Sequence, residues 1–146
     1  MTVFVLDSSA VLRFLDKEAG WNRIAEILLA KGAGTVEVSL SAVQWGEIAG
    51  IVRKKKGALG EEITLSGLSQ FELDIVPATG ERAVHAAEIK QDRKIAYADA
   101  FALDLAMDSP DHLLITADYG FKAVVDLAQI EFLPAKESAL SSALSE

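Results

Sequence analysis

The chain has no cysteine among its 146 residues, which excludes disulfides, thiolate metal sites and cysteine nucleophiles. Long apolar runs are missing too. Hydrophobic residues reach 51% and mean hydropathy is positive, yet no stretch approaches the roughly 18 to 20 apolar residues that cross a bilayer. No basic segment precedes the first apolar run, so no secretory signal is expected, and a cytoplasmic location is. Histidine is scarce: His85 and His112 stand apart without metal-ligand spacing, and neither takes a catalytic role. Positive charge is also short. Fourteen Lys and Arg against 22 Asp and Glu give a net charge of −8, which counts against indiscriminate binding to nucleic acid and confines any phosphate contact to a local patch. With no internal repeat and no linker, the length suits one domain over 1–146 with a real core.

Strands and helices alternate in what is present. An apolar run from Val3 to Leu6 stops at Asp7-Ser8-Ser9, where Ser8 or Ser9 can cap a short helix through Leu15. A second helix from about Gly20 to Lys31 shows helical spacing in Ile24, Ile27, Leu28 and Lys31 and ends at Gly32-Ala33-Gly34. Thr35 to Leu40 alternates as a strand with Val36, Val38 and Leu40 on one face. Ser41 with Gln44 forms a capping-box pattern for a helix from Ala42 to about Lys56, broken at Gly57 and Gly60. Further helices are expected over about Glu61 to Phe71, Gly80 to about Arg93, Ala98 to Met107 and after Asp118-Tyr119-Gly120. Short strands are expected at Leu73 to Val76, His112 to Thr116 and Gln129 to Leu133. The last stretch, Ala135 to Glu146, reads as a frayed helix or a disordered tail. Strands separated by helices imply right-handed crossovers, hence an α/β sandwich of three layers with a mostly parallel sheet covered on both faces.

Four carboxylates fall at comparable places in this plan. Asp7 ends the first strand, Glu47 lies in the second turn of the helix after the Thr35 to Leu40 strand, Asp99 begins the Ala98 helix, and Asp118 follows the His112 to Thr116 strand. In a parallel sheet these positions lie along one edge. Asp7 and Asp118 alone read equally as helix caps or turn residues; Glu47 and Asp99 sit in apolar surroundings that argue against casual exposure. Such a cluster is costly without a cation, and all-oxygen donors suit Mg²⁺ or Mn²⁺. The chemistry such ions supply is phosphoryl transfer. Ser8 and Thr116, the hydroxyls beside two of the acids, suit either ligand positioning or plain capping.

Taken in order, Val5-Leu6-Asp7-Ser8-Ser9-Ala10, Ser41-Ala42-Val43-Gln44-Trp45-Gly46-Glu47-Ile48, Tyr97-Ala98-Asp99-Ala100 and Leu114-Ile115-Thr116-Ala117-Asp118-Tyr119-Gly120-Phe121 span most of the chain. Together they resemble the PIN domain, and within it the small ribonuclease toxins of the VapC type. The resemblance implies that Asp7, Glu47, Asp99 and Asp118 are the acidic metal-binding and catalytic set, supported by Ser8 and Thr116. It further implies metal-dependent hydrolysis of RNA, leaving a 5′-phosphate and a 3′-hydroxyl, a homodimeric state, and neutralisation by a small antitoxin protein. Asp104 departs from the pattern, standing where the family usually has a small or apolar residue. With Asp108 it forms an i, i+4 acidic pair that reads as a solvated face.

Arg53-Lys54-Lys55-Lys56 and Lys90, Arg93 and Lys94 are the basic clusters. They suit solubility and charge at helix C-termini, and under the nuclease reading they are the candidates for phosphate contacts. Trp21 and Trp45 read as packing residues. Rival plans fit less well. A receiver-type domain needs an acceptor Asp on a middle strand and a Lys after a late one, a haloacid-dehalogenase-like phosphatase needs a second Asp where Ser9 stands, and a Rossmann domain needs Gly-x-Gly after the first strand. The alternative that survives is a non-catalytic module with the same fold that binds a partner or RNA.

Overall fold

The opening apolar run becomes the central strand of the sheet. In the computed structural model, which describes residues 1–136, β1 (Val3–Leu6) pairs in parallel with β2 (Glu37–Ser41) on one side and β4 (His112–Thr116) on the other. Beyond these, β3 (Asp74–Val76) joins β2 and β5 (Ile130–Phe132) joins β4, also in parallel, giving the order β3-β2-β1-β4-β5. The architecture is the expected α/β sandwich, with every strand pairing parallel among the described residues. Residues 137–146 of the expected tail lie outside the described residues.

Alternation along the strands builds two cores. Phe4, Leu6, Val38, Leu40 and Ile115 face one side, where they meet Ala10 and Val11 of α1 (Ser8–Asp16), Ile24, Ile27 and Leu28 of α2 (Trp21–Gly32), and Ile48 and Val52 of α3 (Ala42–Ser69). Val5 and Leu114 face the other, against Ala86 and Ile89 of α4 (Gly80–Arg93), Phe101, Leu103 and Leu105 of α5 (Tyr97–Ala106), and Phe121 and Val124 of a short 3₁₀ helix at Tyr119–Val124. Each fully buried Leu or Ile contributes about 1.5–3 kcal/mol. Stability therefore resides in the two faces of the sheet, and its polar edge is left to other uses. Trp45 packs on the first core, whereas Trp21 is partly exposed, with Lys17 5.9 Å from its ring. Among the described residues no helix is long and apolar enough to cross a membrane.

Two local expectations are corrected. Of the two glycines expected to break the third helix, only Gly57 does so: its φ of 76° and ψ of −178° are glycine conformations, and the chain bends there before resuming its helix through Gly60. The capping box does not close. Ser41 caps α3 by accepting from the Val43 amide at 3.2 Å, but Gln44 turns away from it into the protein. Its amide finds partners there that a local pattern does not reveal.

Chain order decides where a ligand can approach. From β1 the chain moves outward through β2 to β3, then crosses back to β4 on the other flank of β1. The direction reverses between β1 and β4, and a crevice opens outside the C-terminal ends of strands at such a point. Asp7 follows β1 and Asp118 follows β4.

Candidate active site

Asp7 is the most buried of the four acids. It is 2% exposed, and its carboxylate accepts from the Ala10 amide at 2.9 Å, from Ser9 Oγ at 2.7 Å and from Thr116 Oγ1 at 2.5 Å. Asp7 is thus itself the N-cap of α1. Taken alone, Asp7 reads in the sequence as a cap; as a metal ligand it leaves that task to Ser8 or Ser9. The carboxylate takes it because an N-cap oxygen must reach an amide two or three residues ahead, and Asp7 stands immediately before the helix. Ser9 is left to bridge two loops, donating to Asp7 while accepting from the Ala117 amide at 2.9 Å. Burial pushes the Asp7 carboxyl up to about 6; the hydrogen bonds from Thr116, Ser9 and Ala10 act against this, and the charge of Asp118 adds to it.

The other three acids are less buried. Asp99, in the first turn of α5, is half-buried, and its carboxyl is pushed up to about 7, first by burial and then by the charges of Asp118, Asp7 and Glu47 and a hydrogen bond with Asp118. Asp118 is exposed and caps the 3₁₀ helix through the Gly120 amide at 2.8 Å. Thr116 links two of the acids, donating to Asp7 while accepting from the Asp118 amide at 2.9 Å. Glu47 is exposed, and its Oε1 accepts from Ser8 Oγ at 3.2 Å. The four predicted acids and both predicted hydroxyls therefore lie at one edge.

The donors that meet at this edge are oxygens, as Mg²⁺ and Mn²⁺ prefer. The Asp99 carboxyl is raised first by burial and then by the charges of the other three acids, and a cation would relieve the second contribution. Among the described residues no three His, Cys, Asp or Glu side chains close into a ready ligand cage. That is compatible with Mg²⁺, which keeps several waters and uses one or two carboxylates. Asp7 retains acceptor capacity beyond its three hydrogen bonds, since a carboxylate has about four lone-pair sites.

Two clefts each reach one of the acids. One of about 600 Å³ is lined by Ser9, Arg13, Lys55, Asp118, Tyr119 and neighbours, and another of about 230 Å³ by Lys94, Ala96, Asp99, Gly120 and neighbours. Of the seven predicted phosphate-contact residues, Lys55 lines the cleft that reaches Asp118 and Lys94 the one that reaches Asp99. Arg53 pairs instead with Glu61 at 2.9 Å, and Arg93 grips Asp126 through two hydrogen bonds of 2.9 and 2.8 Å. Lys55 lies 3.6 Å from Asp16. Lys54, Lys56 and Lys90 are exposed on α3 and α4.

Asp104 overturns its expected place on a solvated face. It is 5% exposed, with Arg82 Nη1 at 2.9 Å and His85 Nδ1 at 2.6 Å, while Asp108 takes the other end of the Arg82 guanidinium at 2.6 Å. A buried carboxylate requires such partners, and α4 delivers them. Sequence reasoning also missed the roles of Ser9 and Gln44. Gln44 is fully buried and joins the Ser8 amide to the Ala98 carbonyl; the available signal was a polar residue three positions before Glu47 on a largely apolar helix face.

A family model described as "PIN domain" matches residues 4–127. Among solved structures, the chain is similar to a chain of VapBC2 from Rickettsia felis bound to a DNA fragment from its promoter, with a TM-score of 0.69 and 16% identity, covering 91% of this chain and 100% of that one. It is also similar to a chain of DNA-bound VapBC from Salmonella typhimurium, with a TM-score of 0.68 and 15% identity over 90% of this chain and 98% of that one. A chain of FitAcB from Neisseria gonorrhoeae gives a TM-score of 0.63 and 22% identity over 88% and 96% of the two chains. Among curated proteins no sequence matches the chain. At these identities the structural likeness is one of fold.

Proposed function

This chain belongs to the PIN domain family, and from that premise we propose that it is a Mg²⁺- or Mn²⁺-dependent endoribonuclease, the toxin of a toxin–antitoxin pair. The observation that carries the proposal is the gathering of Asp7, Glu47, Asp99 and Asp118 at the switch point of the sheet, expressed in the Asp99 carboxyl raised to about 7 by burial and by the other three acids. A bound divalent ion supplies charge neutralisation and Lewis acidity at the attacked phosphate. The protein's own residues do the rest. Asp7, fixed by Thr116, Ser9 and Ala10, offers an oriented, buried carboxylate. Asp99, its carboxyl raised by burial and then by the charges of Asp118, Asp7 and Glu47, would join Asp118 in offering further carboxylate oxygens to such an ion. Glu47, steadied by Ser8, would add the fourth carboxylate.

The two clefts suit a strand passing over the acids, with Lys55 and Lys94 meeting flanking phosphates. A protein of net charge −8 needs such local contacts in place of a broad basic surface. The reaction leaves a 5′-phosphate and a 3′-hydroxyl. The assemblies in which the similar folds occur support a small antitoxin protein as partner, and a homodimer in the cytoplasm completes the proposal. The test is cleavage of total RNA with Mg²⁺ or Mn²⁺ and with EDTA, by wild type, Asp7→Asn and Asp99→Asn. Cleavage is expected from wild type alone and only with metal. Equal cleavage by all three proteins would sink the assignment, and antitoxin binding without cleavage under any metal would transfer it to a non-catalytic partner-binding module.

A further inference from the structure

Asp7, Glu47 and Asp99 arrive on three different elements, and one buried side chain reaches the backbone beside two of them from a position one helical step before the third. Gln44 is 0% exposed; its Oε1 accepts from the Ser8 amide at 2.6 Å and its Nε2 donates to the Ala98 carbonyl at 2.6 Å. The two partners fix the orientation of the amide, since an N–H requires an acceptor and a C=O requires a donor. Ser8 follows Asp7, Ala98 precedes Asp99, and Glu47 lies three residues after Gln44 on the same face of α3.

We propose that Gln44 is a positioning residue that sets the mutual spacing of Asp7, Glu47 and Asp99, a role that rests on the nuclease reading above. Neither hydrogen bond is needed to build a helix. The Ser8 amide is one of the N-terminal donors of α1 that have no partner within the helix, and water can satisfy such a group at an open edge. An apolar side chain of equal volume would also fill the space. What the amide adds is a strut of fixed length between the start of α1 and the start of α5, anchored on α3. A metal-dependent site must be held to within about 0.5 Å, and groups that orient ligating residues from behind are typically worth 10- to 100-fold in metal affinity or activity.

The test compares wild type with Gln44→Met, which keeps the volume and loses both hydrogen bonds, and Gln44→Leu, which loses both with a second apolar side chain of similar size. Mn²⁺ binding is followed by the paramagnetic resonance signal of the free ion, alongside RNA cleavage kinetics and thermal unfolding. Both variants are expected to be folded at the assay temperature, to bind Mn²⁺ about 10- to 100-fold more weakly, and to lose kcat with little change in KM. Ile48→Val, which removes one methylene from the core four residues further along α3, is expected to lower Tm while leaving Mn²⁺ binding and kcat unchanged. Mn²⁺ affinity and kcat of Gln44→Met within twofold of wild type would overturn the proposal. Unfolding of both Gln44 variants would do so as well, by making Gln44 a residue of stability alone. Failure of the wild-type chain to bind Mn²⁺ or to cleave RNA would instead strike the nuclease reading, and this proposal with it.

Discussion

Replacing Asp99 by asparagine is expected to stabilise the metal-free protein, chiefly at neutral to alkaline pH. The Asp99 carboxyl is raised from 3.8 to about 7, by burial first and then by its three acidic neighbours. Because the folded value lies above the unfolded one, the native state binds the extra proton between the two. Stability therefore falls as pH rises through that window, and the full cost is present above about 7. At 1.36 kcal/mol per pH unit, a gap of about three units sets a ceiling of about 4 kcal/mol. Asp99 is only half-buried, and solvent screening reduces this to about 1–2 kcal/mol. Asparagine carries no charge and keeps a donor towards Asp118. In EDTA at pH 8, thermal unfolding by circular dichroism should show a Tm gain of about 2–8 °C for Asp99→Asn, shrinking to a fraction of that at pH 4.5. Saturating Mn²⁺ at pH 8 should raise the wild-type Tm more than that of the variant, because the ion binds the folded state and offsets the same repulsion. A loss of Tm at pH 8, or the same change at both pH values, would refute the account of the edge as a charge-strained site.

The other acids and the backbone give further expectations. In urea unfolding at pH 4, below the raised Asp7 value of about 6, Asp7→Ala should cost about 1–3 kcal/mol, because it removes a helix cap and leaves Thr116, Ser9 and the Ala10 amide without their acceptor. Gly57→Ala should cost about 1–3 kcal/mol, since φ of 76° with ψ of −178° admits little but glycine. Gly67→Ala, in the helical part of α3 with open space where a Cβ would stand, should gain about 0.4–1 kcal/mol; equal Tm changes for the two would contradict the bend at Gly57. Lys94→Gln should weaken RNA binding by a cleavage-deficient variant and lower its salt slope by about one, measured by fluorescence anisotropy. Arg93→Gln should change neither, because its guanidinium is already held by Asp126.

An edge built this way costs stability. Leu and Ile packing on both faces of the sheet supplies the favourable free energy, and the polar edge holds acids whose burial and mutual repulsion oppose folding. Such local conflict in an otherwise consistent sequence is what a functional site is expected to look like.

Element types and their order were determined by the sequence itself. Val36, Val38 and Leu40 alternate and do share one core, Ile24, Ile27 and Leu28 recur at helical spacing and are buried together, and Gly57 marks a real bend. Each of these signals is local, carried within one or two turns of chain, as is the position of an acid at the end of a strand or the start of a helix. The partners of buried polar groups were decided by tertiary structure alone. Ser9 and Asp7 meet Thr116 and the Ala117 amide across more than a hundred residues, Asp104 is buried because α4 brings Arg82 and His85 to it, and Gln44 finds Ser8 and Ala98 when it fails to cap its own helix. The physical reason is that hydrophobic burial follows a periodic pattern and is nearly indifferent to which apolar neighbour supplies it, whereas a desolvated polar atom requires one partner at one distance and angle. Only packing distant segments together brings that partner there.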